Sequence, residues 1–250
     1  MRIDFFEEFP NQANLSKAKL IDFPSTIYLA AKSAAEFKIL ESKLKQINPE
    51  LEPAWWPILP RTYWISPFSD RRELKNLKKE LARIKNTKVL IDLEMPIVKV
   101  RFWIKNLPFF FKNKRTIEQI FLNSTVFTAE TIQSYSKIGS IGVKLLGLAY
   151  PMNKFPHRKI LMFYSSMVES RKIDRIKKIV IQQFKQYRPN LQLGLGVIAK
   201  GIWQTEPILS PKNLDRDLNF AKNLGIQSCV IFRLGGLNND YLKVIHKYLN

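Results

Sequence analysis

The stretch KVLIDLEMP, Lys88–Pro96, is a short strand-like run that ends on two carboxylates, Asp92 and Glu94, and is stopped by a proline. Two further runs have the same form: RIDFFEEFP at Arg2–Pro10 and STVFTAE at Ser124–Glu130. Amphipathic helices alternate with such runs along the chain. That alternation favours parallel pairing with helical crossovers, which collects the acidic strand ends on one edge. In a closed (β/α)8 barrel this edge is the rim that carries the active site.

Working outward, strand-like runs recur at STIYLAAK (Ser25–Lys32), LEPAWWP (Leu51–Pro57), GVKLLGLAY (Gly142–Tyr150), KILMFYSSM (Lys159–Met167), LQLGLGVIAK (Leu191–Lys200) and SCVIFRLGG (Ser228–Gly236). Between them, capping residues precede apolar stripes at helical spacing. Ser33 and Glu36 open a helix with Phe37, Leu40, Leu44 and Ile47 on one face, and Ser69 or Asp70 opens one with Leu74, Leu77, Leu81 and Ile84. A third starts at Ser170 and stops before Pro189. A fourth has Ser210 as cap, Pro211 at its first position and Gly225 as its stop. A short helix from Asp240 to Leu249 closes the chain. The strand-like runs number nine, one more than an eight-stranded barrel uses. The surplus lies within Gly142–Met167, where only PMNKFPHR separates two runs. The expectation is a single TIM-like (β/α)8 barrel domain over residues 1–250 with an extra hairpin or strand. A doubly wound open sheet would announce a glycine-rich phosphate loop after its first strand, and none is present.

A chain of 250 residues that is 46% apolar and 12% aromatic can bury a full core. Its 41 Lys and Arg against 21 Asp and Glu give a formal net charge of +20. A field of that sign attracts an anionic membrane face, nucleic acid, or phosphorylated or acidic substrates, although a solvated Lys-rich surface has the same composition. Cys229 is the only cysteine, so neither an intramolecular disulfide nor a Cys-based zinc site can form, which suits a reducing compartment. The acidic start MRIDFFEEFP lacks the pattern of a secretory signal, and no apolar run reaches the ~18 residues of a membrane span. The expected location is cytoplasmic, with peripheral attachment at a membrane left open.

Strand periodicity sets a phase for the carboxylates. With Val89, Ile91 and Leu93 outward, Leu90, Asp92 and Glu94 face the barrel interior. The same alternation puts Ile3 and Phe5 outward and Asp4, Phe6 and Glu8 inward. In STVFTAE it is read with Phe127 and Ala129 outward and Thr128 and Glu130 inward. Glu8, Glu94 and Glu130 are therefore expected to converge. A desolvated cluster of like charges raises at least one pKa, so that a general acid and a carboxylate nucleophile or base coexist. The competing reading pairs these acids with Lys or Arg, or places them as caps at helix N-termini.

Aromatic residues gather in LEPAWWPILPRTYWISPFSD, which holds Trp55, Trp56, Tyr63, Trp64 and Phe68. Flat apolar faces beside carboxylates suit a sugar ring. Trp56, Tyr63, Trp64, Tyr150, Tyr164, Trp203, Arg233 and Asp92 are the candidate substrate-binding residues, with core filling as the competing reading for Trp55 and Trp56. The acids of LIDLEMP and FTAE, the WWP segment and the late FRLGG together resemble the rim composition of TIM-barrel glycoside hydrolases. The resemblance is architectural, spans most of the chain and contains no diagnostic motif. It implies a carbohydrate or glycoconjugate substrate, no cofactor, and two carboxylates on either side of the scissile bond. By that resemblance Glu94 is the general acid and Glu130 or Glu8 the nucleophile or base.

Two alternatives stand beside it. Asp92, Glu94 and Glu130 also form an oxygen-ligand set for a divalent metal such as Mg²⁺ or Mn²⁺, which would make the chain a phosphoesterase. A catalytically idle, basic barrel that binds an anionic membrane or nucleic acid is the other. His157 and His246 are too few for a His-rich metal site, the serines of SYSKIGSIG and YSSM lack a G-x-S-x-G elbow, and GLGVIAKG misses a dinucleotide fingerprint. The basic aromatic segment 97–115, IVKVRFWIKNLPFFFKNKR, is an insertion or a helix. Its Phe109, Phe110 and Phe111, followed by Lys112, Lys114 and Arg115, are candidates for membrane or anion contact. Nucleic acid is the lesser partner, because no nucleic-acid motif accompanies them.

Overall fold

In a computed structural model, residues 1–84, 86–95, 100–123, 125–131 and 142–249 are described. Eight parallel strands close into a barrel in chain order: β1 (Arg2–Glu7), β2 (Thr26–Ala31), β3 (Glu52–Pro57), β4 (Lys88–Asp92), β5 (Thr125–Thr131), β6 (Arg158–Phe163), β7 (Leu191–Gly196) and β8 (Ser228–Phe232). Phe6 of β1 lies opposite Tyr28 on one side and Phe232 on the other, which closes the ring. The run Lys159–Met167 supplies β6, whereas Gly142–Tyr150 forms no strand and accounts for the surplus. SYSKIGSIG falls largely, and residues 97–99 wholly, outside the described residues.

Both faces of a parallel strand in this fold are covered. Ile3, Phe5, Trp55, Val89, Ile91 and Phe163 point outward and pack with Phe37, Leu74, Leu77 and Ile117 of the helices. Phe6, Tyr28, Trp56, Leu90, Phe127, Ala129, Val230 and Phe232 fill the barrel interior. At the base of the barrel, Asp4 Oδ1 accepts from the Thr26 backbone N–H at 2.7 Å and from Arg2 Nε at 2.9 Å.

The helices start where the caps place them. Ser33 Oγ accepts from Glu36 N–H ahead of α2 (Ala34–Ile47), and Asp70 accepts from Arg72 and Glu73 N–H ahead of α3 (Arg71–Arg83). A short α1 (Gln12–Leu15) follows β1. The helix expected from Ser170 begins as a 3-10 turn at Ser170–Lys172 and continues as α6 (Ile173–Tyr187). Ser210 caps α7 (Pro211–Leu224), which ends on Gly225 at φ +85°, a left-handed position that glycine occupies without cost. The last helix, α8, spans Asn239–His246.

The basic aromatic segment is two helices. Pro108 breaks them, so that α4 (Val100–Asn106) leads through a 3-10 turn at Leu107–Phe109 into α5 (Phe110–Asn123). Its anchors are local. Asn113, fully buried, donates from Nδ2 to the carbonyls of Pro67 and Ser69 at 2.9 Å each, and Phe68 packs between Trp103 and Phe110. Phe110 is therefore half-buried, while Phe109 and Phe111 are exposed.

Candidate active site

A cleft of about 260 Å³ opens where the strands end. Asp92 closes β4 and Glu94 stands two residues beyond it, with Leu93 between them turned into the outer core. Both carboxylates line the cleft together with Glu8, which follows the last residue of β1. Asp92 Oδ1 and Glu8 Oε2 are buried with no hydrogen-bond partner among the described residues. Burial, with Glu94 and Glu8 nearby, holds the Asp92 carboxyl well above the usual range. Burial and then the Glu8 charge raise Glu94 to about 7. Burial also brings Glu8 to about 7, against the opposing pull of the Tyr63 hydrogen bond and of Arg233. Such a cluster holds protons near neutrality, as proton transfer to a leaving group requires.

Aromatic walls surround the acids. Trp56 faces inward from β3, and Tyr164 follows β6 and packs on Phe232 with ring centroids 5.6 Å apart. Trp64 stacks on Trp203 at 6.2 Å and an interplanar angle of 26°, which joins the β3–α3 and β7–α7 connections over the cleft. Tyr63 sits in a narrow turn closed by paired backbone hydrogen bonds with Leu59. Trp55, by contrast, is an outer-core residue stacked on Phe37.

Three residues expected at the cleft stand elsewhere. Glu130 does not reach it. On β5 it is Phe127 and Ala129 that enter the barrel, and Glu130 turns outward, 2% exposed, onto Lys159 at 2.9 Å. Thr128 Oγ1 also donates to it, and the Lys159 ammonium lies 4.3 Å from the Tyr187 ring of α6. The alternation in STVFTAE is present with the opposite phase, because a strand covered on both faces does not show in its sequence which face is inside. Tyr150 is likewise in the outer core, packed on Phe121 at 4.9 Å. Arg233 stands behind the cleft. Its Nη1 donates to Glu7 Oε1 at 3.0 Å and its Nε to the Lys200 carbonyl at 2.9 Å, which fixes the ends of β1 and β8.

Glu206 and Thr131 also line the cleft, and sequence reasoning missed both. Glu206 Oε1 accepts from Trp203 N–H at 3.0 Å while Oε2 has no partner among the described residues. Gly201 lies between it and Glu8, where a Cβ would come within 2.9 Å of Oε1 of the one and Oε2 of the other. The available signal was an acid in the long connection after β7, a rim position in this fold. Thr131 was hidden by the inverted phase of β5. With Glu130 elsewhere, the oxygen-ligand set expected for a divalent metal is broken, and no group of three or more His, Cys, Asp or Glu among the described residues is arranged to hold one.

No protein-family model matches the chain, and no curated protein matches it by sequence. Solved structures do match its fold. A class V chitinase from Pseudomonas fluorescens Pf-5 superposes with a TM-score of 0.57 over 100% of this chain and 99% of its own, at 8% identity. A GH18 chitinase from Flavobacterium johnsoniae gives 0.55 over 99% and 93% at 12% identity. The spore cortex-lytic enzyme SleL from Bacillus megaterium QM B1551 gives 0.56 over 100% and 74% at 9% identity. The chain thus shares the (β/α)8 barrel fold of these structures.

Proposed function

We propose that this barrel hydrolyses glycosidic bonds of a polysaccharide or glycoconjugate, with Glu94 as the proton donor to the leaving oxygen. The observation that carries the reading is the convergence of Glu8, Asp92 and Glu94 in one aromatic-walled cleft at the C-terminal ends of the strands. Burial keeps Glu94 partly protonated near neutrality, which suits a general acid. The neighbouring Glu8 charge discourages loss of that proton. Glu8 supplies the second carboxylate across the cleft, as base or nucleophile, in the place that Glu130 was expected to share. Trp56, Trp64, Tyr164 and Trp203 offer the flat faces on which sugar rings lie. The reading requires no cofactor. The chitinases and the cortex-lytic enzyme among the structural neighbours support it and suggest the first substrates to try.

The test is release of reducing ends from chitin oligosaccharides and from spore cortex by the native chain and by Glu94→Gln. Turnover by the native chain and a loss of at least ~10²-fold in the variant, with an unchanged circular dichroism spectrum, is the expected result. Undiminished turnover in folded Glu94→Gln would reject the assignment.

A further inference from the structure

Among the described residues, twelve large apolar side chains are exposed, and ten of them lie in connections that leave the C-terminal ends of strands or in the first turn of α5. Ile104, Leu107, Phe109 and Phe111 belong to the β4–β5 connection, with Ile104 75% and Phe111 82% exposed. Leu145 and Leu146 follow β5, in a segment whose Gly147 lies against Pro67 of the β3–α3 loop. The others occur after β6 and β7, including Ile202 and Trp203 at the cleft itself. Only Ile39 and Leu122 lie elsewhere, inside α2 and α5. Solitary exposed apolar side chains are ordinary, but concentration on one face marks an interaction surface.

Around the β4–β5 members of this set the exposed charge is mostly basic. Lys105, Lys112 and Arg115 are exposed between and beside the apolar tips, Arg72 and Lys75 are exposed on α3, and Lys144 adjoins Leu145. Across residues 100–123 the single carboxylate is Glu118. The Arg71 guanidinium lies over the Phe109 ring at 5.5 Å. Apolar tips interleaved with bases match a surface that offers anions above and hydrocarbon beneath, because the tips enter the acyl boundary while the bases stay with the headgroups. A second copy of the chain would set two positive faces against each other. A nucleic-acid duplex would satisfy the bases and leave Phe111 and Ile104 in water.

We propose that the C-terminal rim docks on an anionic lipid bilayer, with the β4–β5 connection as its anchor and the cleft facing the membrane. No helix among the described residues is long and apolar enough to cross a membrane, so this is attachment at a surface. Docking is read as binding, so its success or failure is independent of the hydrolase reading.

The experiment is sedimentation of the full chain with vesicles of phosphatidylcholine alone and of phosphatidylcholine with phosphatidylserine. Binding is expected only with phosphatidylserine and is expected to weaken as salt rises. Phe109→Ser combined with Phe111→Ser should lower partitioning by at least ~10-fold. Neutralising Lys112 and Arg115 as Gln should lower it by roughly fivefold for each base. Ile39→Ser, off the rim, should leave it unchanged. Urea midpoints show whether each variant is folded, and the Lys112 and Arg115 variant decides the matter if the phenylalanine variant is not. Absence of binding by the native chain overturns the proposal. So does binding that survives loss of both phenylalanines and is removed by a soluble DNA duplex, which would show attraction by net charge alone.

Discussion

The phenol of Tyr63 donates to Oε1 of Glu8 at 2.5 Å and so ties the β3–α3 turn to the end of β1 across the mouth of the cleft. Tyr63 adopts φ +64°, a left-handed conformation that a bulky side chain rarely takes. Such outliers concentrate where a site over-determines the backbone. The bond leaves Glu8 Oε2 without a hydrogen-bond partner among the described residues and directs it toward Gly201 and Glu206. One oxygen of Glu8 is thus held while the other remains available to a ligand.

A pH dependence follows from Glu8. Its folded pKa is raised from the ordinary 4.5 to about 7, so the native state binds this proton more tightly than the unfolded chain does. The associated stability is complete below pH 4.5 and is lost as pH rises through about 7. Urea midpoints of Glu8→Gln, compared with the native chain across this window, should show a shallower decline. Tyr63→Phe removes a contact that lowers the Glu8 pKa, so the Glu8 carboxyl signal in carbon-detected NMR should titrate higher still. A titration that did not move in Tyr63→Phe would show that the short bond has no electrostatic weight.

Glu130 should matter for folding and not for chemistry. Its carboxylate and the Lys159 ammonium are 2% and 1% exposed, and removing one member of such a pair weakens the compensation of a buried charge. Glu130→Gln should cost about 3 kcal/mol in chemical denaturation, with turnover of the folded fraction retained. Replacing the pair together, Glu130→Leu with Lys159→Met, should recover much of that loss. A ~10²-fold loss of turnover in folded Glu130→Gln would return this residue to the catalytic set.

The tryptophans separate binding from stability. Trp203 is 47% exposed and stacks on Trp64 above the cleft, so Trp203→Ala should weaken oligosaccharide binding by about 1 kcal/mol in calorimetric titration. Its urea midpoint should barely change. Trp55 is fully buried, and its indole N–H donates to the Ala31 carbonyl at 3.1 Å. Trp55→Ala should therefore cost about 3–5 kcal/mol of stability. Equal stability losses in the two variants would contradict the division of these residues between cleft and core.

The eight strands and their capped helices were legible because each follows from local chemistry: Ser33, Asp70 and Ser210 as caps, Gly225 as a stop, and acidic strand ends at Glu8 and Glu94. Parallel connection then carries those ends to one rim, whatever the details of packing. Strand phase was legible on β4, where Leu90 enters the barrel and Asp92 and Glu94 line the cleft. It was not legible on β5, because Phe127 and Val126 are both apolar and both buried, on opposite faces. Only tertiary structure decided that Phe127 fits beside Tyr28 inside the barrel, at a ring separation of 5.6 Å, and that Glu130 consequently meets Lys159. The bond between Tyr63 and Glu8 was equally hidden, since 55 residues separate the partners. Local sequence determines which elements form and where they end, because caps and periodicity act within a few residues. Which side chains meet across a closed barrel depends on how both faces of every strand are filled at once.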